Sequence, residues 1–194
     1  MARYGINPEG TLGVSIPTLR RLAREAGRDH ALALALWDTG IHEARILASL
    51  VDVPDLIDEA QMERWAADLD SWDVCDQCCN NLLRRTRHAH DKARQWAGRP
   101  ETFVKRAGFT LMACLAVHDK QADDAVFLDF LDLVRREADD DRNFVKKAVN
   151  WALRGIGKRN APLHAAALAL AGDLVEGESR AARWIGRDAF REMN

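Results

Sequence analysis

The pentapeptide Phe103-Val104-Lys105-Arg106-Ala107 returns 41 residues later as Phe144-Val145-Lys146-Lys147-Ala148. Each copy follows a polar turn and leads into an apolar, helix-forming run. A period of ~40–47 residues is the mark of HEAT or armadillo units, helix pairs that stack because neither pair buries its apolar face alone. Helices with similar work to do also converge on such short likenesses, so a closed helical bundle is the competing architecture. Start and stop signals with 3.6-residue periodicity predict helices over 15–27, 29–37, 43–50, 59–69, 71–85, 88–97, 101–117, 124–137, 143–158, 162–175 and 179–191. No alternating run bounded by turns competes with them. The expected fold is all-α, a HEAT-like α-solenoid (α-α superhelix) of antiparallel helix pairs with a concave basic face, and one domain over residues 1–194.

Composition narrows the setting. A chain of 194 residues with 47% hydrophobic content is long enough for one sizeable core. No run reaches the ~18 apolar residues that cross a membrane, and Met1 to Pro8 lacks an apolar leader. Cys75, Cys78 and Cys79 crowd together rather than forming a disulfide framework, so a reducing cytoplasm is the expected location. The net charge is only −2, but it is unevenly spread. Residues 83–106 carry eight bases against two acids, and residues 119–141 carry nine acids against three bases. A dipolar chain of this kind is able to present one positive surface while staying near neutral overall.

From Arg142 to Asn160 there are six basic residues and no acid. Val145, Ala148, Val149, Ala152 and Ile156 form an apolar stripe that must pack on something. Lys147, Trp151, Arg154 and Lys158 fall at i, i+4, i+7 and i+11 on another face. Cations neutralise phosphates and an indole offers a flat contact to a sugar or base, which suggests nucleic acid. A solvated basic helix with its tryptophan folded into the core is the plain alternative.

Ser71-Trp72-Asp73-Val74-Cys75-Asp76 is the second unusual stretch. Ser71 is expected to cap a helix, with Asp73 in the first turn, where a negative charge suits the helix dipole. Trp72 and Asp76 stand at i and i+4 and share a face, beyond the reach of a capping explanation. An aromatic wall beside a fixed carboxylate suits stabilisation of an oxocarbenium-like sugar. The alternative is an acid paired to an arginine in the core. Cys75, Cys78 and Cys79 lie within one helix with no second ligand pair, and read as small core residues rather than a zinc site. His42-Glu43 and His118-Asp119 are weak as acid–base pairs, and Gly155-x-Gly157 falls within a helix, not in a phosphate-cradling loop.

These stretches together resemble the AlkD-like DNA alkylation repair glycosylases, a family built from HEAT-like repeats. The resemblance rests on Trp72-Asp73-Val74-Cys75-Asp76, on Phe103 to Ala107, and on Phe144 to Arg154, with Leu36-Trp37 and Glu43-Ala44-Arg45 upstream. It implies a monofunctional glycosylase of base excision repair that removes cationic alkylpurines, 7-methylguanine and 3-methyladenine, from double-stranded DNA. It further implies a monomer working without metal, cofactor or membrane. The resemblance places the catalytic carboxylate at Asp76, aromatic contacts to the sugar at Trp72 and Trp151, and a phosphate-contacting arginine at Arg106. Lys105, Lys147, Arg154 and Lys158 are the further expected DNA contacts. Two departures stand out: the chain is expected to lack N-terminal helices usual in the family, and Thr110 stands where an aromatic often occurs. A non-catalytic HEAT-like scaffold that binds nucleic acid or protein is the competing function.

Overall fold

The helical periods become eleven α-helices in a computed structural model that describes residues 6, 7 and 10–194. They are α1 (Ile16–Ala26), α2 (His30–Asp38), α3 (His42–Val51), α4 (Glu59–Ala67), α5 (Trp72–Asn81), α6 (Ala89–Ala97), α7 (Thr102–His118), α8 (Asp124–Glu137), α9 (Asn143–Gly157), α10 (Ala161–Val175) and α11 (Arg180–Met193). No strand occurs among the described residues. The opening stretch Met1 to Pro8, read above for a leader, lies outside the described residues except for Ile6 and Asn7. No described helix is long and apolar enough to cross a membrane. The chain folds as two compact units, residues 1–89 and 90–194.

In the first unit the helix starts are set by local side-chain caps. Ser15, Asp29 and Asp58 accept the backbone N–H of Thr18, Leu32 and Gln61, which satisfies donors that a helix start leaves open. Trp37 and Trp65 stack face to face with ring centroids 3.9 Å apart, and the Trp37 indole N–H donates to Asp68 at 2.8 Å. Contacts between α3 and α5 advance together along both helices, His42 with Asp73 and then Ser49 with Asn81, so the two run parallel. The buried Glu43 carboxylate accepts the N–H groups of Leu12, Gly13 and Val14, tying the segment before α1 to α3.

One predicted helix is shorter than expected. The run over 71–85 ends at Asn81, where Leu82 leaves helical geometry (φ −127°, ψ −65°), and resumes as a 3-10 turn over Leu83–Arg85. The break lets the successive leucines Leu82 and Leu83 both bury, and Thr86 closes the turn by donating to the Leu83 carbonyl.

In the second unit α7, α9 and α11 lie side by side. The rings of Phe103 and Phe144, which open the two repeat copies, are 5.4 Å apart. Between α9 and α11, Lys146 meets Trp184, Asn150 meets Asp188 and Arg154 meets Glu192. Partners advance in step, so these helices too are parallel, as stacked repeats require. The predicted apolar stripe of α9, Val145, Ala148, Val149, Ala152 and Ile156, is fully buried.

The segregated charges do not stay segregated. Arg94 pairs with Asp129, His90 with Asp119, and Lys105 with Glu137 and Asp140. Asp119, Asp129, Glu137 and Asp140 of the acidic run therefore lie against the segment over 83–106. The expected positive surface is reduced by that pairing, because opposite charges brought within contact by folding neutralise one another locally.

Candidate functional site

Helix α5 sorts its side chains by face. Val74, Cys75, Cys78 and Cys79 are buried, and the cysteines are free thiols. Burial pushes the Cys78 thiol up from its ordinary value, as desolvation penalises a thiolate. Trp72 and Asp76 fall on the other side, one turn apart and both half-buried. Each is engaged by neighbouring groups.

The start of this helix is held differently from the expected cap. Ser71 has the extended backbone of an N-cap residue, but its hydroxyl makes no cap bond. It donates instead to Asp73 Oδ1 at 2.5 Å, while Asp73 Oδ2 meets His42 Nε2 at 2.9 Å. A partner on α3 has recruited the carboxylate and drawn the serine after it. The Asp73 hydrogen bond holds the His42 imidazolium above the ordinary histidine range, against desolvation by burial. Burial pushes the Asp73 carboxyl upward, but the His42 and Ser71 hydrogen bonds outweigh it and leave the carboxyl below its usual range.

The sign of the linkage follows from these directions. The raised histidine contributes stability in full below its unfolded value of about 6.5, and loses it as pH rises through the folded value. The depressed carboxyl contributes above its unfolded value of about 3.9 and fades in acid. The tie between α3 and α5 is thus firmest between those limits. An NMR titration is expected to show His42 titrating above about 6.5, returning toward that value in Asp73→Asn. A wild-type midpoint at or below the free-histidine value contradicts the ion pair.

Helix α7 places its two predicted cations inward. The Arg106 guanidinium is buried and donates to the Phe144 carbonyl at 2.7 Å. Lys105 is buried as well, with its ammonium 2.7 Å from Glu137 and 3.1 Å from Asp140. The Arg142 hydrogen bond, helped by Lys105, holds Asp140 down at about 2. Lys105 therefore clamps the end of α8 to α7, a placement the spacing alone did not foretell. Thr110, one turn beyond Arg106, is fully buried.

On α9 the predicted row is present but partly committed. Lys147 is exposed and Trp151 half-buried. Arg154 and Lys158 both reach Glu192 of α11, and Arg154 also lies 3.8 Å from Asp188. Neighbouring α11 carries a basic–aromatic row that the sequence reading passed over: Arg180, Arg183, Trp184, Arg187 and Arg191. Its signal is the one that marked α9, cations at i, i+3, i+7 and i+11 with a tryptophan among them. Asp188 and Glu192 within the same helix masked it.

The fold and family are settled by likeness to known proteins. A solved structure, reported as a new family of proteins related to the HEAT-like repeat DNA glycosylases with affinity for branched DNA structures, superposes with a TM-score of 0.81 at 20% identity. The match covers 99% of this chain and 86% of that one, and establishes a HEAT-like repeat fold. No curated protein has a matching sequence. The family model for DNA alkylation repair enzymes matches residues 1–193, and this chain belongs to that family.

Proposed function

We propose that this protein is a monofunctional DNA glycosylase that hydrolyses the N-glycosidic bond of cationic alkylpurines in duplex DNA. The observation that carries the reading is the half-buried Trp72–Asp76 face of α5 in a chain of the DNA alkylation repair family. Alkylation at N7 of guanine or N3 of adenine leaves a cationic base that departs neutral, taking the electrons of the C1′–N bond. Positive charge then grows on C1′ and O4′ of the deoxyribose. Asp76 offsets that charge and orients a water, whose oxygen bonds C1′ while one proton is released to solvent. Trp72 and Trp151 offer electron-rich ring faces to the sugar. The step uses no metal or cofactor.

Grip on the backbone needs cations without base readout. Lys147, exposed on α9, is the first candidate, and Arg106 joins by giving up the Phe144 carbonyl. Arg154 and Lys158 join by exchanging Glu192 for a phosphate, and Lys105 acts from behind, as the residue that positions α7 and α8. Incubation of the protein with methylated duplex DNA is expected to generate abasic sites and free 7-methylguanine well above a no-enzyme control. Absence of both, with duplex binding intact, removes the catalytic assignment.

A second reading has its own support. The solved neighbour is described by its affinity for branched DNA structures rather than by catalysis, and several cations here are already paired. A non-catalytic HEAT-like scaffold would bind branched DNA more tightly than linear duplex and release no base from either.

A further inference from the structure

The exposed face of α11 carries charge that the fold itself does not use. Arg180, Arg183, Arg187 and Arg191 fall within a narrow arc of the helix and, at about 1.5 Å per residue, run along roughly 16 Å of its axis. Arg183 donates to the carbonyls of Gly177 and Glu178, and Arg191 to Asp188. Arg180 and Arg187 are exposed and have no hydrogen bond or ion pair among the described residues. Between them Trp184 keeps 38% of its surface in solvent, with the Lys146 ammonium 5.0 Å from its ring centroid. Arg180, Arg183, Trp184, Arg187, Asp188 and Arg191 line a shallow groove of about 360 Å³.

The acids of the same helix are spent elsewhere. Asp188 accepts from Asn150 at 2.7 Å, and Glu192 holds Arg154 and Lys158. The negative charge of α11 is thus spent at its seam with α9 and on Arg191, and Arg180, Arg183 and Arg187 are left without a paired acid. Like charges one turn apart repel on a helix surface. A ligand that bridges them relieves that repulsion, and guanidinium groups match phosphate oxygens in bidentate geometry. The cations are strung along an axis rather than gathered round a point, which fits a repeating phosphate polymer over a small anion.

We propose that this face of α11 is a nucleic-acid backbone-binding surface, with Arg180 and Arg187 contacting phosphates and Trp184 lying against a sugar. It rests on the DNA-binding reading above, and adds a contact surface independent of Asp76 and of the α9 row. It reads no sequence, because nothing on it is placed to distinguish base edges.

The test is fluorescence anisotropy of a labelled, unmodified duplex across a salt series. Each phosphate contact contributes about 0.9 to the slope of log affinity against log salt, so Arg180→Gln/Arg187→Gln is expected to lower the slope by about 2 and weaken binding by about tenfold or more at 0.1 M salt. Each single substitution is expected to remove about half of that slope. Trp184→Ala is expected to weaken binding with the slope unchanged. Arg135→Gln/Arg136→Gln on α8 makes the same change in net charge and is expected to leave the slope alone. Melting temperatures of the Arg180 and Arg187 variants should match wild type, since neither arginine has a partner to lose. An unchanged slope in the α11 double variant, with wild type still binding, overturns the α11 surface and leaves the DNA reading standing. Equal losses in the α8 control overturn it as an effect of net charge. Failure of the wild type to bind duplex at any salt overturns both.

Discussion

Asp76→Asn is expected to slow single-turnover release of 7-methylguanine from duplex DNA by about 10²–10³, the usual cost of removing one well-placed electrostatic group from a transition state. Asparagine keeps the shape of the side chain and removes its charge. The half-buried position on α5 makes that charge matter, because a carboxylate partly withdrawn from water is screened less than one on an open surface. Affinity for unmodified duplex is expected to hold or rise slightly, since an anion has been taken from beside a polyanion. The two measurements together separate a charge that acts in the transition state from one that merely helps to fold α5. A rate within threefold of wild type would mean that Asp76 is structural, and that another group offsets the charge on the sugar. Tighter binding with an unchanged rate points the same way.

The helices were legible in the sequence where their signals are local. Ser15, Asp29 and Ser179 cap at the first residues of their predicted helical ranges, because an N-cap is decided within three or four residues. The α8 limits, Asp124–Glu137, coincide with the predicted ones. Ser71 shows where that logic stops. Its own sequence context favours a cap, but the competing acceptor was Asp73 held by His42, and the partner that decided the matter lies 31 residues from Asp73.

The same division runs through the candidate site. That Trp72 and Asp76 share a face follows from helix geometry alone. Whether a cation is available does not. Lys105 and Arg106 are adjacent on α7, yet the first is spent on acids 32 and 35 residues away and the second on a carbonyl 38 residues away. Such pairings are tertiary, and a charge census along the chain cannot distinguish a clamped lysine from an open one. The α11 row escaped notice for the converse reason. Its two acids lowered the apparent charge of the helix, and only folding shows that they turn toward α9.

Close packing of the repeat helices supplies the second large effect. Gly108 of α7 and Gly186 of α11 each stand six residues beyond the first residue of their helix, and each faces the backbone of the helix before it. A Cβ on Gly108 would lie 2.6 Å from the Ala97 nitrogen and 2.9 Å from the Trp96 carbonyl carbon; one on Gly186 would lie 2.6 Å from the Ala171 oxygen. Backbone cannot swing aside as a side chain does, so the helices must separate and give up packing along their contact. Gly108→Ala is expected to destabilise the second unit by about 3 kcal/mol or more, the upper part of the overpacking range, lowering its melting temperature by about 12 °C or more. Gly172, inside α10, has nothing within 4 Å of a built Cβ. There the same substitution only removes backbone freedom from the unfolded chain, and Gly172→Ala is expected to stabilise by about 0.5–1 kcal/mol. Calorimetric melts of the two variants should therefore move in opposite directions, and a fall in both would mean that helix propensity and helix contact have been wrongly separated at these positions.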